Sequence, residues 1–337
     1  SSDPYGQKDR TLEADAASLS EALKTAALSE QQVAEIVAKY RAARRPEARS
    51  DKFGDSLPRE FALYAEGATH YHAGEYDQAI AKWKELLELP EDQRKNKSVW
   101  AAYMIGRALR DTDAAQAVIS FDQARTLAAE GFSDPLALAG ESLGWKAYFE
   151  NNAGNIAGAL ELYAKQFADG YKNARSASSS LHMICAKAFD STDALVACAA
   201  NETARAVLTA WVISHPAYSE SRKWVALLAG ANIADLPQAD LIAWIAYRSG
   251  DFDSAQKLLE AHSADTPYGN WVRSKLLLRE GKVDEAFALL QQLAANDEIA
   301  NIRPYQSGHY DGAPPHSSVD AELGVLLLGK QRYAESF

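Results

Sequence analysis

The string Gly140-Glu141-Ser142-Leu143-Gly144 fits the G-x-S-x-G spacing of a serine nucleophile. Acyl transfer by that motif needs a buried strand before the serine and a sharp strand-to-helix turn after it. Here residues 134–139 and 145–148 are helical in character on both sides, so no serine hydrolase is expected. His70 and His72 stand two apart, about 200° of helical rotation, which turns one toward a groove and the other into packing rather than onto one metal. Residues 301–318 lack a helical stripe and gather Tyr305, His309, Tyr310, Asp311 and His316. They read as a binding loop or a solvated connection; Pro314-Pro315 obscures any metal geometry. The P-loop, G-x-G-x-x-G, H-E-x-x-H and paired C-x-x-C patterns are absent. No catalytic residue, metal or cofactor is expected.

Cys185 and Cys198 flank the polar turn Asp190-Ser191-Thr192. In a helical hairpin they would lie at similar distances from that turn, so both a disulfide and a pair of buried thiols are open readings. A disulfide would imply an oxidising compartment. With the missing Met at Ser1-Ser2-Asp3-Pro4, this points to the periplasm or cell envelope, with the cytoplasm as the alternative, and to a processed chain or an excerpt.

The 337 residues carry 35 Lys plus Arg against 46 Asp plus Glu, a net charge of −11. Such an acidic balance disfavours a general nucleic-acid binder, which needs a basic face. Arg41, Arg44, Arg45, Arg49 and Lys52 read as a solvated helix end instead. No apolar run approaches the ~20 residues of a transmembrane helix.

The elements that must position these residues are helices. Ser29 and Gln32 form a capping-box pattern, followed by an apolar stripe at Val33, Ile36, Val37 and Tyr40, and Pro46 marks a stop. Residues 1–55 read as an N-terminal helical arm and 56–337 as a repeat array cut mid-repeat at its end. Gly74, Gly154, Gly250 and Gly281 are each followed two residues on by a large apolar residue, then by Ala79, Ala159, Ala255 and Ala286, then by another large residue four further. Ala117 and Phe121 keep the second half of the pattern. Glycine supplies a left-handed turn, and alanine lets two helices approach closely.

This pattern resembles the tetratricopeptide repeat. The expected fold is all-α: antiparallel helix-hairpin repeats stacked into a TPR-like solenoid. It is irregular in the middle, where the 96-residue gap between Ala159 and Ala255 should hold two degenerate pairs, roughly 174–199 and 202–229.

The resemblance implies a concave groove lined by the first helix of each pair. It places there Tyr64, Tyr71 and His72; Tyr103, Arg107 and Arg110; Tyr148, Asn151 and Asn152; Trp244, Tyr247 and Arg248; and Trp271, Lys275 and Arg279. A basic, aromatic groove in an acidic chain suits a protein or peptide partner with an anionic segment. The expected function is a non-enzymatic scaffold. The alternatives are a helical-ring protein that binds or acts on glycans, and a structural subunit of an envelope assembly.

Overall fold

The computed structural model describes residues 7–24, 26, 28–45, 57–169, 174–215, 218–231, 233, 235–262, 265–295 and 315–329. Among them lie seventeen α-helices, one short 3-10 turn and no strand. The chain divides into two compact units, Ser1–Leu181 and His182–Phe337.

The first unit opens with α1 (Gln7–Leu23) and α2 (Glu30–Ala43), then pairs α3 (Arg59–Ala73) with α4 (Tyr76–Leu87), α5 (Ser98–Leu109) with α6 (Ala114–Ala129), and α7 (Leu138–Asn152) with α8 (Ile156–Asp169). Successive pairs stack: α4 on α5, α6 on α7, and α5 on α7. The next helix, α9 (Ala174–Ala188), contains the division between the units.

Beyond it come α10 (Thr192–Ala200), α11 (Glu202–Ser214), α12 (Ser221–Gly230), α13 (Ala239–Arg248), α14 (Phe252–Ala261), α15 (Pro267–Arg279), α16 (Val283–Ala294) and α17 (Pro315–Gly329). The hairpins α13–α14 and α15–α16 repeat the first unit's pattern, whereas α10 packs on both α11 and α12, and α12 on both α13 and α14. This is the hairpin-repeat architecture with an irregular middle that the glycine and alanine spacing predicts.

Local chemistry explains the hairpins. Gly74, Gly154, Gly250 and Gly281 have φ between 77° and 84°. At each, the glycine N–H returns to a carbonyl three residues back and the next N–H to one five back, as in Gly74 to Tyr71 and Glu75 to His70. That closes the helix end with the left-handed residue glycine adopts at no steric cost. The five marker alanines are all excluded from solvent, as are Trp83, Phe121 and Leu290 one helical turn on. On the facing helices, a Cβ on Gly67 would stand 2.4 Å from Trp83, and one on Gly106 2.8 Å from Phe121. Close axial approach therefore rests on small residues from both helices.

The arm is not separate from the array. Its capping box forms, with Ser29 Oγ accepting from Gln32 N–H (3.3 Å) and Gln32 Oε1 from Ser29 N–H (2.8 Å). The helix it starts places Tyr40 with Leu19, Leu23, Phe61 and Ala65 in one apolar cluster, each large side chain contributing about 1.5–3 kcal/mol. Beside that cluster the Asp15 carboxylate accepts from Tyr40 Oη (3.0 and 3.1 Å) and from Arg44 Nε (3.1 Å). Lys97 Nζ, at 2.7 Å, completes the site. Arg44 is thus a half-buried ion-pair partner, which corrects its reading as part of a solvated cluster; Arg49 and Lys52 lie outside the described residues. The connection before α5 is also fixed, because the buried Glu60 carboxylate accepts from the backbone N–H of Asn96 (2.9 Å) and Lys97 (2.8 Å).

Candidate functional site

The G-x-S-x-G string lies inside α7. Ser142 is fully buried and its hydroxyl donates to Leu138 O (2.9 Å), while the missing Cβ of Gly144 makes room for Gln166, 2.8 Å from where it would stand. The motif serves helix packing. Tyr305, His309, Tyr310 and Asp311 lie outside the described residues. Pro315 to Ser318 form the first turn of α17 and not a loop, because proline fits helix starts. Among the described residues no three His, Cys, Asp or Glu side chains gather as a metal site. Cys185 and Cys198 are both free and buried; desolvation pushes their thiols up to about 12 and about 11.

The groove residues fall into both units, each with its own face. In the first unit, Arg107 on α5 and Arg110, which caps that helix, hold their guanidinium carbons 4.9 and 5.4 Å from the ring centre of Trp145 on α7. Trp145 is held from behind by Phe121, parallel at 6.2 Å, and by its indole N–H donating to Tyr103 Oη (3.0 Å). Tyr148 stands edge-on to Trp145 at 5.9 Å and is exposed. Tyr71 on α3 meets Tyr76 and Trp83, and His72 is exposed beside it. Arg110 pairs with its neighbour Asp111, an arrangement that holds the Asp111 carboxyl below its usual range through their hydrogen bonds. No described carboxylate pairs with Arg107, and its Nε is buried without a hydrogen-bond partner. An open cleft of about 610 Å³ lies alongside, lined by Arg110, Val118, Tyr148, Phe149 and Asn152 among others.

In the second unit, Trp244 and Tyr247 stack on α13 (5.6 Å), and Trp271 on α15 lies 4.6 Å from Trp244. Lys275 Nζ sits over both indoles, 5.7 and 4.5 Å away, and is ion-paired with Glu322 of α17. Arg248 approaches Trp244 (6.0 Å), and Arg279 covers the Phe252 ring at 3.7 Å. Desolvation pushes the Tyr268 phenol, beside Trp271, up to about 12.

Three expected groove residues are core. Tyr64 is buried between Trp83 and Trp100 beneath Arg44 and Lys97, because the arm covers that side of α3. Tyr103 is buried and donates to Glu141 (2.9 Å); desolvation, then the Glu141 charge, raises its phenol. Trp271 is buried against Trp244 and Tyr268. Asn151 is half-buried and Asn152 exposed at the end of α7.

Sequence reasoning missed Trp145, the platform of the first face. Its signal is the stripe Glu141, Trp145, Tyr148 and Asn152 at i, i+4, i+7 and i+11. It also missed the cluster of His182, Trp211 and His215. There Trp211 N–H donates to His182 Nδ1 (3.2 Å) and His215 stacks on the indole at 4.5 Å. No spacing rule joins residues 29 apart.

No protein-family model matches the chain, and no curated protein matches its sequence.

Proposed function

We propose that the chain is a non-enzymatic helical-repeat scaffold of the tetratricopeptide kind that docks a protein or peptide partner on the α3–α5–α7 face of its first unit. The observation that carries this reading is the pair Arg107 and Arg110, one turn apart at the C-terminal end of α5 and set against Trp145 beside the exposed Tyr148. Cations held over an indole are pre-ordered, so less side-chain entropy is lost when they meet an anionic group. Tyr and Trp supply contact area at low rotamer cost, and Tyr, Trp and Arg are the residues that concentrate binding energy at interfaces. An acidic segment of the partner, with an aromatic or aliphatic side chain for the cleft by Tyr148 and Phe149, is the ligand chemistry this face fits. No bond is made or broken; recognition is equilibrium docking.

The test is capture of partners from native lysate by the intact chain and by an Arg107→Glu/Arg110→Glu variant with matched helicity and melting temperature. The reading expects partners that only the intact chain retains, released by raised salt. Identical capture by both proteins would refute it.

A further inference from the structure

We propose that the trench between α1 and α2 is a second docking site, for an acidic amphipathic helix of a partner protein, independent of the α3–α5–α7 face. Helix α2 has fourteen residues and fully buries only Tyr40. Its apolar residues Val33 and Val37 stay half-buried, and Ala34 and Ala38 are exposed. With Leu23 and Leu28 across from them they floor an open cleft of about 970 Å³. Among the described residues only α1, α2, the turn between them and Arg45 just beyond α2 line this cleft, and such a helix pair presents ridges that another helix can interdigitate.

The rim selects the occupant. Lys24 stands at the hairpin end of the trench and Arg41 and Arg45 at the other, against one lining carboxylate, Glu30. Arg41 and Arg45 are four residues apart and continue the stripe of Val37, so apolar floor and cationic rim form a single surface. Among the described residues, Lys24 and Arg41 pair with the exposed carboxylates Glu21 and Glu13 and no others. Such pairs contribute little, and an incoming carboxylate replaces them readily. From Glu30 to Arg45 the stripe runs ~22 Å, about four helical turns. A partner helix of that length, with an apolar stripe and acidic flanks, matches floor and rim together.

The probe is an 18-residue synthetic helix with leucines at i, i+3, i+4 and i+7 and glutamates on its flanks, titrated into the full chain by fluorescence anisotropy. Its mate carries lysine at every glutamate. The proposal expects the glutamate peptide to bind at least tenfold more tightly than the lysine peptide. It expects Arg45→Glu to weaken binding about tenfold and Ala38→Trp, which fills the trench, to abolish it. Both positions are exposed, so helicity and melting temperature should hold, and every titration is made in the Arg107→Glu/Arg110→Glu background, which silences the other face. Equal affinity for the two peptides, no binding, or indifference to Ala38→Trp overturns the proposal. So does a concentration-dependent dimer, or binding to phosphatidylserine vesicles, that Ala38→Trp removes, since a second copy or a lipid surface would then be the occupant.

Discussion

Lys97 Nζ lies 2.7 Å from Asp15 Oδ1, and neither side chain reaches solvent. The ammonium also sits over three rings, at 4.0 Å from Trp100, 4.7 Å from Phe61 and 5.4 Å from Tyr64. One ion pair thus joins the first helix of the arm to the start of α5. Removing one partner leaves an uncompensated buried charge, which costs about 3–5 kcal/mol. Asp15→Leu alone should therefore destabilise the first unit by at least that amount, while Asp15→Leu with Lys97→Met should recover part of it, Arg44 still lacking its anion. Urea unfolding followed by tryptophan fluorescence would read both; a double variant as weak as the single would sink the argument.

The same pair sets a response to acid. Burial alone would push the Asp15 carboxyl up, but the charges of Lys97 and Arg44 and their hydrogen bonds outweigh it and hold it below 3.8. A carboxyl depressed on folding contributes stability that is complete above its unfolded value and is lost as pH falls through the folded one. Wild type should therefore lose melting temperature below about pH 4 more steeply than the Asp15→Leu/Lys97→Met protein. Parallel melting curves from pH 7 to 2 would contradict this.

Two helical glycines, Gly106 within α5 and Gly230 at the end of α12, should respond oppositely to alanine. At Gly106 the added methyl meets Phe121 at 2.8 Å, whereas at Gly230 nothing stands within 4 Å. Gly106→Ala should cost about 1–3 kcal/mol through overpacking. Gly230→Ala, at the last residue of α12, should gain a few tenths of a kcal/mol from helix propensity. Thermal melts by circular dichroism suffice, and the same sign for both would count against the packing account.

The thiols offer a chemical test. Buried, and with desolvation holding Cys185 near 12 and Cys198 near 11, neither should react with Ellman's reagent at pH 8 in the native protein, because the thiolate is the nucleophile. Both should react in urea without reductant. No release in urea would instead reveal a disulfide.

The hairpin positions were legible because they rest on backbone and volume requirements that few residues meet. Gly74 and its three counterparts satisfy a left-handed turn, and Ala79 and its counterparts a close crossing. The faces were less so. Counting back from Ala79 assigns Tyr64 to a groove, yet that count is blind to the arm, whose Arg44 lies over the tyrosine ring. Lys97 ends a polar stretch and reads as a surface residue, since its counter-ion is 82 positions away and its aromatic surroundings come from α3 and α5. Trp145 was hidden by register, and Glu322, which neutralises Lys275, by a distance of 47 residues.

The docking of the arm also decides where this chain can be cut. A fragment beginning at residue 56, where the repeat pattern starts, would keep every hairpin but bare Phe61 and Ala65, which now pack under Leu19 and Tyr40. It would also strand Lys97 among aromatic rings with no anion in reach except the Glu60 already spent on backbone N–H groups. The repeats of the first unit therefore share part of their core and the counter-ion of Lys97 with the arm. A truncation chosen from repeat boundaries should melt lower than the full chain and expose an apolar patch beside an unpaired ammonium.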